Sequence, residues 1–162
     1  MKKTFLAFVM SAMCMLSYAQ SEVTVKAGTI VPLQVVNPTK AADVEEGQKV
    51  LFRVSRDIMV NGKTAIPYGT TVQGTVYESK KSAWFGTKGR LGIKINEIVC
   101  NDGVVVPITN GDVYVTGKNR TAVSILVFAF TFLPIPCGTK AQLPSGYEIQ
   151  ANVAANTIVK VD

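Results

Sequence analysis

Beyond residue 20, apolar residues in this chain recur at every second position, and no stretch carries a long helical period. In "KVLFRVSR", Val50, Phe52 and Val54 share one face while Leu51, Arg53 and Ser55 take the other. In "RLGIKINEI", Leu91, Ile93 and Ile95 line one face, with Lys94 and Asn96 opposite. "DVYVT" and "NTIVKV" behave alike. Successive side chains of a strand point to opposite faces, so alternation of this kind predicts half-buried β-strands. "KAADVEEGQ" (40–48) fits one helical turn or a loop.

Turn residues divide the alternating segments at roughly ten-residue spacing. Asn61-Gly62 sits between "DIMV" and "KTAI", where a type I′ hairpin turn needs positive φ at both central residues. Asp102-Gly103 between "NEIVC" and "VVVPI" predicts a second hairpin. One phrase is written twice, as "AIPYGTTVQGTV" (65–76) and "QLPSGYEIQANV" (142–153), and a weaker copy stands at "KAGTIVPLQV" (26–35). Pro67 and Pro144 at a turn's second position, with Gly69 and Gly146 two residues on, predict a tight turn feeding a strand in each phrase. The two phrases are expected at equivalent corners of one β-structure. Strands at this spacing describe an all-β fold, either a small distorted β-barrel or a sandwich, with its little helix near 40–46 or 121–133.

The first residues stand apart. Lys2 and Lys3 precede an apolar run from Phe5 to Leu16, and Ser17-Tyr18-Ala19 supplies small residues at the −3 and −1 positions of a cleavage site. The run is too short to cross a ~30 Å hydrocarbon core as a helix. Residues 1–19 thus read as a signal peptide and 20–162 as one exported β-domain. Loss of Lys2 and Lys3 leaves 15 Lys+Arg against 11 Asp+Glu. That excess suits anionic lipid or polysaccharide and is too weak to argue for nucleic acid. Cys100 and Cys137 remain in an oxidising compartment, as a candidate disulfide or as two buried thiols.

The chain has no histidine. Ser-His-Asp and Cys-His catalysis and every His-ligated metal site are thereby excluded. Two cysteines after the leader exclude a four-thiolate zinc site. Asp43, Glu45 and Glu46 form an acidic cluster of the kind loops leave solvated, and Ser79 directly precedes Lys80 and Lys81 rather than standing at S-x-x-K spacing. The expectation is a protein that is not an enzyme and needs no cofactor.

Two segments escape the alternating pattern. "TAVSILVFAFTFLPIPC" (121–137) is apolar from Thr121 to Leu133, about 20 Å as a helix and short of a bilayer core. It reads either as a buried strand or core helix, or as an insertion that touches membrane or a partner through Ile125, Leu126, Phe128, Phe130, Phe132 and Leu133. Lys118, Arg120 and Lys140 flank it, as suits anionic headgroups. The second segment, "YESKKSAWFGTKGR" (77–90), reads as a loop joining strands at Val72–Tyr77 and Leu91–Ile95. Its Trp84 and Phe85 among Lys80, Lys81, Lys88 and Arg90 suit a membrane interface, stacking on a glycan, or folding back over the end of the β-structure.

"GTIVPLQVV", "EEGQKVLFRVSRDIMVNGKTAIPYGTTVQGTV" and "GRLGIKINEIVCNDGVVVPI" together resemble a group of secreted bacterial β-domains. In the same order they are similar to the C-terminal β-barrel of the type IV secretion (conjugation) core-complex protein. The resemblance spans most of residues 25–160. It implies a distorted β-barrel in the periplasm near the outer membrane of a Gram-negative-type bacterium, with 121–133 as a shortened counterpart of that protein's apolar helical insertion. The secretion protein also carries an inner-membrane helix and a long Pro-rich linker, whereas here a signal peptide precedes the domain. The expected function is a non-catalytic cell-envelope module that docks to the outer membrane or to a partner protein. The alternative is a carbohydrate-binding or adhesive β-domain using Trp84, Phe85 and nearby Tyr77.

Overall fold

A computed structural model describes residues 21–83, 87–118 and 139–161. Among them there is no helix; fourteen strands account for the regular structure. The strands are β1 (Ser21–Val25), β2 (Ile30–Val35), β3 (Thr39–Lys40), β4 (Lys49–Val54), β5 (Ile58–Val60), β6 (Lys63–Ile66) and β7 (Thr71–Lys80). They continue as β8 (Arg90–Lys94), β9 (Glu97–Val99), β10 (Val105–Thr109), β11 (Asp112–Thr116), β12 (Gln142–Leu143), β13 (Glu148–Val153) and β14 (Thr157–Val161). Residues 40–46 form turns rather than a helical turn, since Asp43 N–H bonds Lys40 C=O at 3.0 Å and the chain then extends.

The main sheet has eight antiparallel strands in the order β11-β8-β7-β4-β2-β13-β10-β9. It curls into a distorted half-barrel. β8 and β9 are one stretch of chain bent at Ile95-Asn96, so β8 pairs with β7 while β9 pairs with β10 at the other end of the sheet. β9 therefore comes back alongside β7. At the bend Ile95 N–H bonds Gly111 C=O at 3.0 Å and Asn96 C=O accepts from Ile108 N–H at 2.8 Å, so two residues face four and the extra pair, with Asn110 at φ 55°, bulges from the chain between β10 and β11. Two small sheets, β1-β14 and β5-β6, pack on each other beside the barrel.

The alternation predicted from sequence sets the core. Val50, Phe52, Val54, Leu91, Ile93 and Ile95 are all buried. β7 is longer than the reading above, running on to Lys80 with a bulge at Tyr77. Both hairpins form. Asn61 (φ 53°) and Gly62 (φ 77°) make the type I′ turn between β5 and β6. In the second hairpin Gly103 alone has positive φ (79°), and Asp102 Oδ1 accepts from Val104 N–H at 3.1 Å.

The doubled phrase occupies equivalent corners. Gly69 N–H bonds Val54 C=O at 2.9 Å, and Val54 N–H bonds Thr70 C=O at 2.9 Å. Gly146 N–H bonds Val35 C=O and Val35 N–H bonds Tyr147 C=O, each at 3.0 Å. The third copy repeats this at Gly28 and Val153, with bonds of 2.8 and 2.9 Å. Each turn thus clasps the end of the strand that the next strand will pair with. β2 and β13 clasp each other reciprocally. The turn position differs from the prediction: Thr70 N–H and Tyr147 N–H reach back to Pro67 and Pro144 C=O, each at 3.3 Å, so proline is the first residue of the turn. Glycine at the third position has φ 82° and 81°, as a type II turn requires. The proline ring instead holds its predecessor extended, which seats Ile66 and Leu143 in the core.

Candidate functional site

One rim of the barrel, at the far end of β7 from these corners, gathers the roots of both unusual segments. Gly117 N–H bonds Gly89 C=O at 3.0 Å, and Gly89 N–H bonds Thr139 C=O at 3.3 Å. Thr139 N–H bonds Lys118 C=O at 3.1 Å, and Thr139 Oγ1 also accepts from Lys118 N–H. Residues 118 and 139, which bracket the apolar segment, are therefore held together. Gly89 also lies against the loop after β7: a Cβ built on it would stand 3.2 Å from Lys80 O and 3.4 Å from Ser82 N. That loop closes on itself through Ala83 N–H to Thr87 C=O at 3.2 Å.

This packing demands glycine. A Cβ on Gly117 would lie 1.7 Å from Thr139 O, and one on Gly89 would lie 2.8 Å from Ala141 N. Lys81, Lys118 and Lys140 are exposed here, and Lys88 is half-buried. Lys80 and Arg90 share the Glu78 carboxylate at 3.9 and 3.6 Å. The rim is thus cationic, with the acidic loop of Asp43, Glu45 and Glu46 beside Lys81 on its β7 side. Trp84, Phe85, Ile125, Leu126, Phe128, Phe130, Phe132, Leu133 and Cys137 lie outside the described residues. The described residues that bracket the two segments meet at Gly89, Gly117 and Thr139, although some thirty residues separate the segments in sequence. Nothing in the pattern of either segment foretold that.

Tyr77, named with the aromatic loop, sits apart from it on the outer face of β7. Its ring covers Gly92, where a Cβ would meet Tyr77 Cζ at 2.5 Å. Tyr114 pairs across from Gly92, and burial, joined by the nearby Glu78 carboxylate, raises its phenol. Burial, joined by the charge of Asp112, pushes the Tyr77 phenol above its ordinary range.

Ser79 Oγ lies 2.8 Å from both Ala41 and Val44 C=O, where its proton ties the acidic loop to β7. Asp43, Glu45 and Glu46 are carried on that loop, and Glu46 Oε1 accepts from Ser79 N–H at 3.4 Å. Among the described residues no three His, Cys, Asp or Glu side chains converge as metal ligands.

Cys100 is buried at the opposite end, in a cleft it shares with Thr64, Ala65, Pro67 and Val159. Burial, with the nearby Asp102 carboxylate, raises its thiol to about 11. Between that end and the rim runs β7, about 30 Å of strand. Cys137 is two residues from Thr139, a reach of about 7 Å, while a disulfide needs Cα atoms within about 7 Å. We expect no bridge from Cys100 to Cys137 within one chain. Without reductant, Cys100 should resist alkylation in the folded protein at pH 8, and both cysteines should alkylate after unfolding. Failure of Cys100 and Cys137 to alkylate in denaturant until a reductant is added would contradict this.

These features define a class: a small all-β protein, a distorted barrel, with two segments of unusual composition rooted on one cationic rim. No family model matches the chain, and no curated protein matches it. Among solved structures it is similar to ComB10 of the Com type IV secretion system of Helicobacter pylori, at a TM-score of 0.45 and 15% identity. The match covers 82% of this chain and 88% of that one.

Proposed function

We propose that this protein is an exported, non-catalytic cell-envelope module that docks through its cationic rim to the outer membrane or to a partner protein there. The observation that carries the reading is the root at Lys118 and Thr139. Lys118 and Thr139 are bonded to each other, so a short bridge can join them with every described strand kept. The segment's apolar density and flanking cations supply the chemistry: each buried Phe or Leu contributes roughly 1.5–3 kcal/mol wherever it finds an apolar surface, and the lysines favour anionic headgroups.

Export rests on the first nineteen residues. The test is deletion of Ala122–Leu133 with a Gly-Ser bridge, followed by fractionation of the envelope and a far-ultraviolet spectrum. The expected result is a folded β-domain that leaves the membrane fraction. A deleted protein that unfolds assigns the run to the core, and one that stays folded but membrane-bound removes the run from docking. Either outcome overturns the proposal.

A further inference from the structure

β7 is paired on both sides for only part of its length. Val54 N–H bonds Thr70 C=O and Val76 N–H bonds Gln48 C=O, each at 2.9 Å. Hydrogen-bonded and non-hydrogen-bonded pairs alternate along an antiparallel ladder. Val72 and Gly74 therefore turn their peptide groups toward β4, and Thr71, Gln73 and Thr75 turn theirs the other way. Thr75 meets Lys94 of β8 in register, but the chain then bends at Ile95-Asn96 and the β7–β8 ladder ends. Past the bend, Cys100 N–H bonds Val104 C=O at 2.9 Å and Asn96 C=O accepts from Ile108 N–H. By the same alternation Glu97 and Val99 turn their peptide groups away from β10.

Thr71, Gln73, Glu97 and Val99 line one cleft of about 210 Å³. Their outward N–H and C=O groups meet no backbone or side-chain partner among the described residues. The side chains around them are polar and exposed. Lys49 Nζ donates to Thr75 Oγ1 at 2.9 Å, which leaves ammonium hydrogens to spare. Lys49 and Glu97 take part in no ion pair among the described residues, where both ion pairs fall on Glu78. One cation and one carboxylate make the lining neutral overall. Val99, 50% accessible, supplies an apolar patch at the margin.

This chemistry selects an occupant. A neutral, polar lining favours neither an ion nor an apolar molecule. A hydroxyl both donates and accepts, so a sugar ring can use Lys49, Glu97 and the amides of Gln73 and Asn96 together. Unbonded peptide groups on the walls are matched by a ligand amide, which carries the same N–H and C=O pair. A peptide strand would need two inter-strand spacings, roughly 9–10 Å, between β7 and β9. The cleft opens at Thr75, where β7 is still in register with β8, and is too narrow there for a strand.

We propose that the cleft between β7 and β9 binds an N-acetylhexosamine unit of a glycan, with the acetamido group on the free peptide groups and the hydroxyls on Glu97 and Lys49. The cleft lies at the other end of β7 from the rim, and the proposal is independent of docking there. The test is titration of the whole protein with triacetylchitotriose, followed by backbone amide shifts and calorimetry. The amides of Thr71, Gln73, Glu97 and Val99 should shift. Glu97→Ala should weaken binding roughly tenfold or more, because a bond to a charged group is lost, and Gln73→Ala roughly two- to tenfold. Both side chains are exposed, so both variants should fold. Cellotriose, with a hydroxyl in place of each acetamido group, should bind more weakly. Affinity should hold from low to high salt, as a neutral ligand requires, and Trp84→Ala should leave it unchanged. Absence of binding, shifts confined to other residues, or equal affinity for cellotriose overturns the proposal. So does binding that ignores both cleft substitutions, or a cleft that takes an extended peptide and not the sugar.

Discussion

Phe52→Ala is expected to remove about 3–5 kcal/mol of folding stability. Phe52 is wholly buried on β4, between Val35 of β2 and Val72 of β7 in register. Its ring edge fills the space that Gly74 leaves open: a Cβ at Gly74 would lie 2.8 Å from Phe52 Cε2 and 2.7 Å from Ile93 Cγ2. The total stability of a domain this size is about 5–15 kcal/mol, so this one ring carries a large share. The geometry also predicts a coupling. Gly74→Ala should destabilise the native protein by overpacking, about 1–3 kcal/mol. In a Phe52→Leu background one of the two close contacts is relieved while Ile93 Cγ2 remains, and the cost should fall in part, by about 0.5–1 kcal/mol. Urea midpoints for the two single variants and the double variant measure this. Strict additivity would show that Gly74 and Phe52 do not share the space assigned to them.

Gly117→Ala is the second large effect, expected at about 2–4 kcal/mol. The clash at 1.7 Å is with a backbone oxygen, which cannot swing aside as a side chain can. Relief requires Thr139 to move, and Thr139 holds both Gly89 and Lys118. Gly103→Ala is the control: its φ is 79° and nothing lies within 4 Å of an added Cβ, so the cost is conformational and about 1–2 kcal/mol. Chemical denaturation compares the two. Limited proteolysis of the Gly117 variant should cut first within residues 118–139, because the clasp at the root of that segment is gone. Equal losses at Gly117 and Gly103, with unchanged cleavage, would remove the rim clasp from the account of this fold.

Much of the barrel was legible because its determinants are local. A period of two assigns each side chain of β4, β8 and β14 to a face before any partner strand is known. Asn61-Gly62 dictates a hairpin because both residues accept positive φ where other residues are strained. The echo of Pro67-Tyr68-Gly69 at Pro144-Ser145-Gly146 was readable as two like turns. Its exact role in the turn was not, since spacing alone does not say which carbonyl the turn closes on; the bonds to Pro67 and Pro144 decide that.

The candidate site was legible only as composition. Trp84-Phe85 and the run from Thr121 to Leu133 stand out in the sequence by their apolar side chains and flanking cations. That their roots meet at Gly89, Gly117 and Thr139 depends on contacts between residues twenty to fifty positions apart, which no local pattern encodes. The same holds for β12 pairing with β3, where Leu143 meets Thr39, and for the bend at Ile95-Asn96 that turns one strand into two and brings β9 around to β7. Local chemistry thus determined the faces, the corners and the absence of histidine chemistry, because side-chain alternation, turn dihedrals and residue inventory are properties of short stretches. Strand order, the curl of the sheet and the clasped rim were decided only in three dimensions, because each is a choice among distant partners made by packing and backbone hydrogen bonding together.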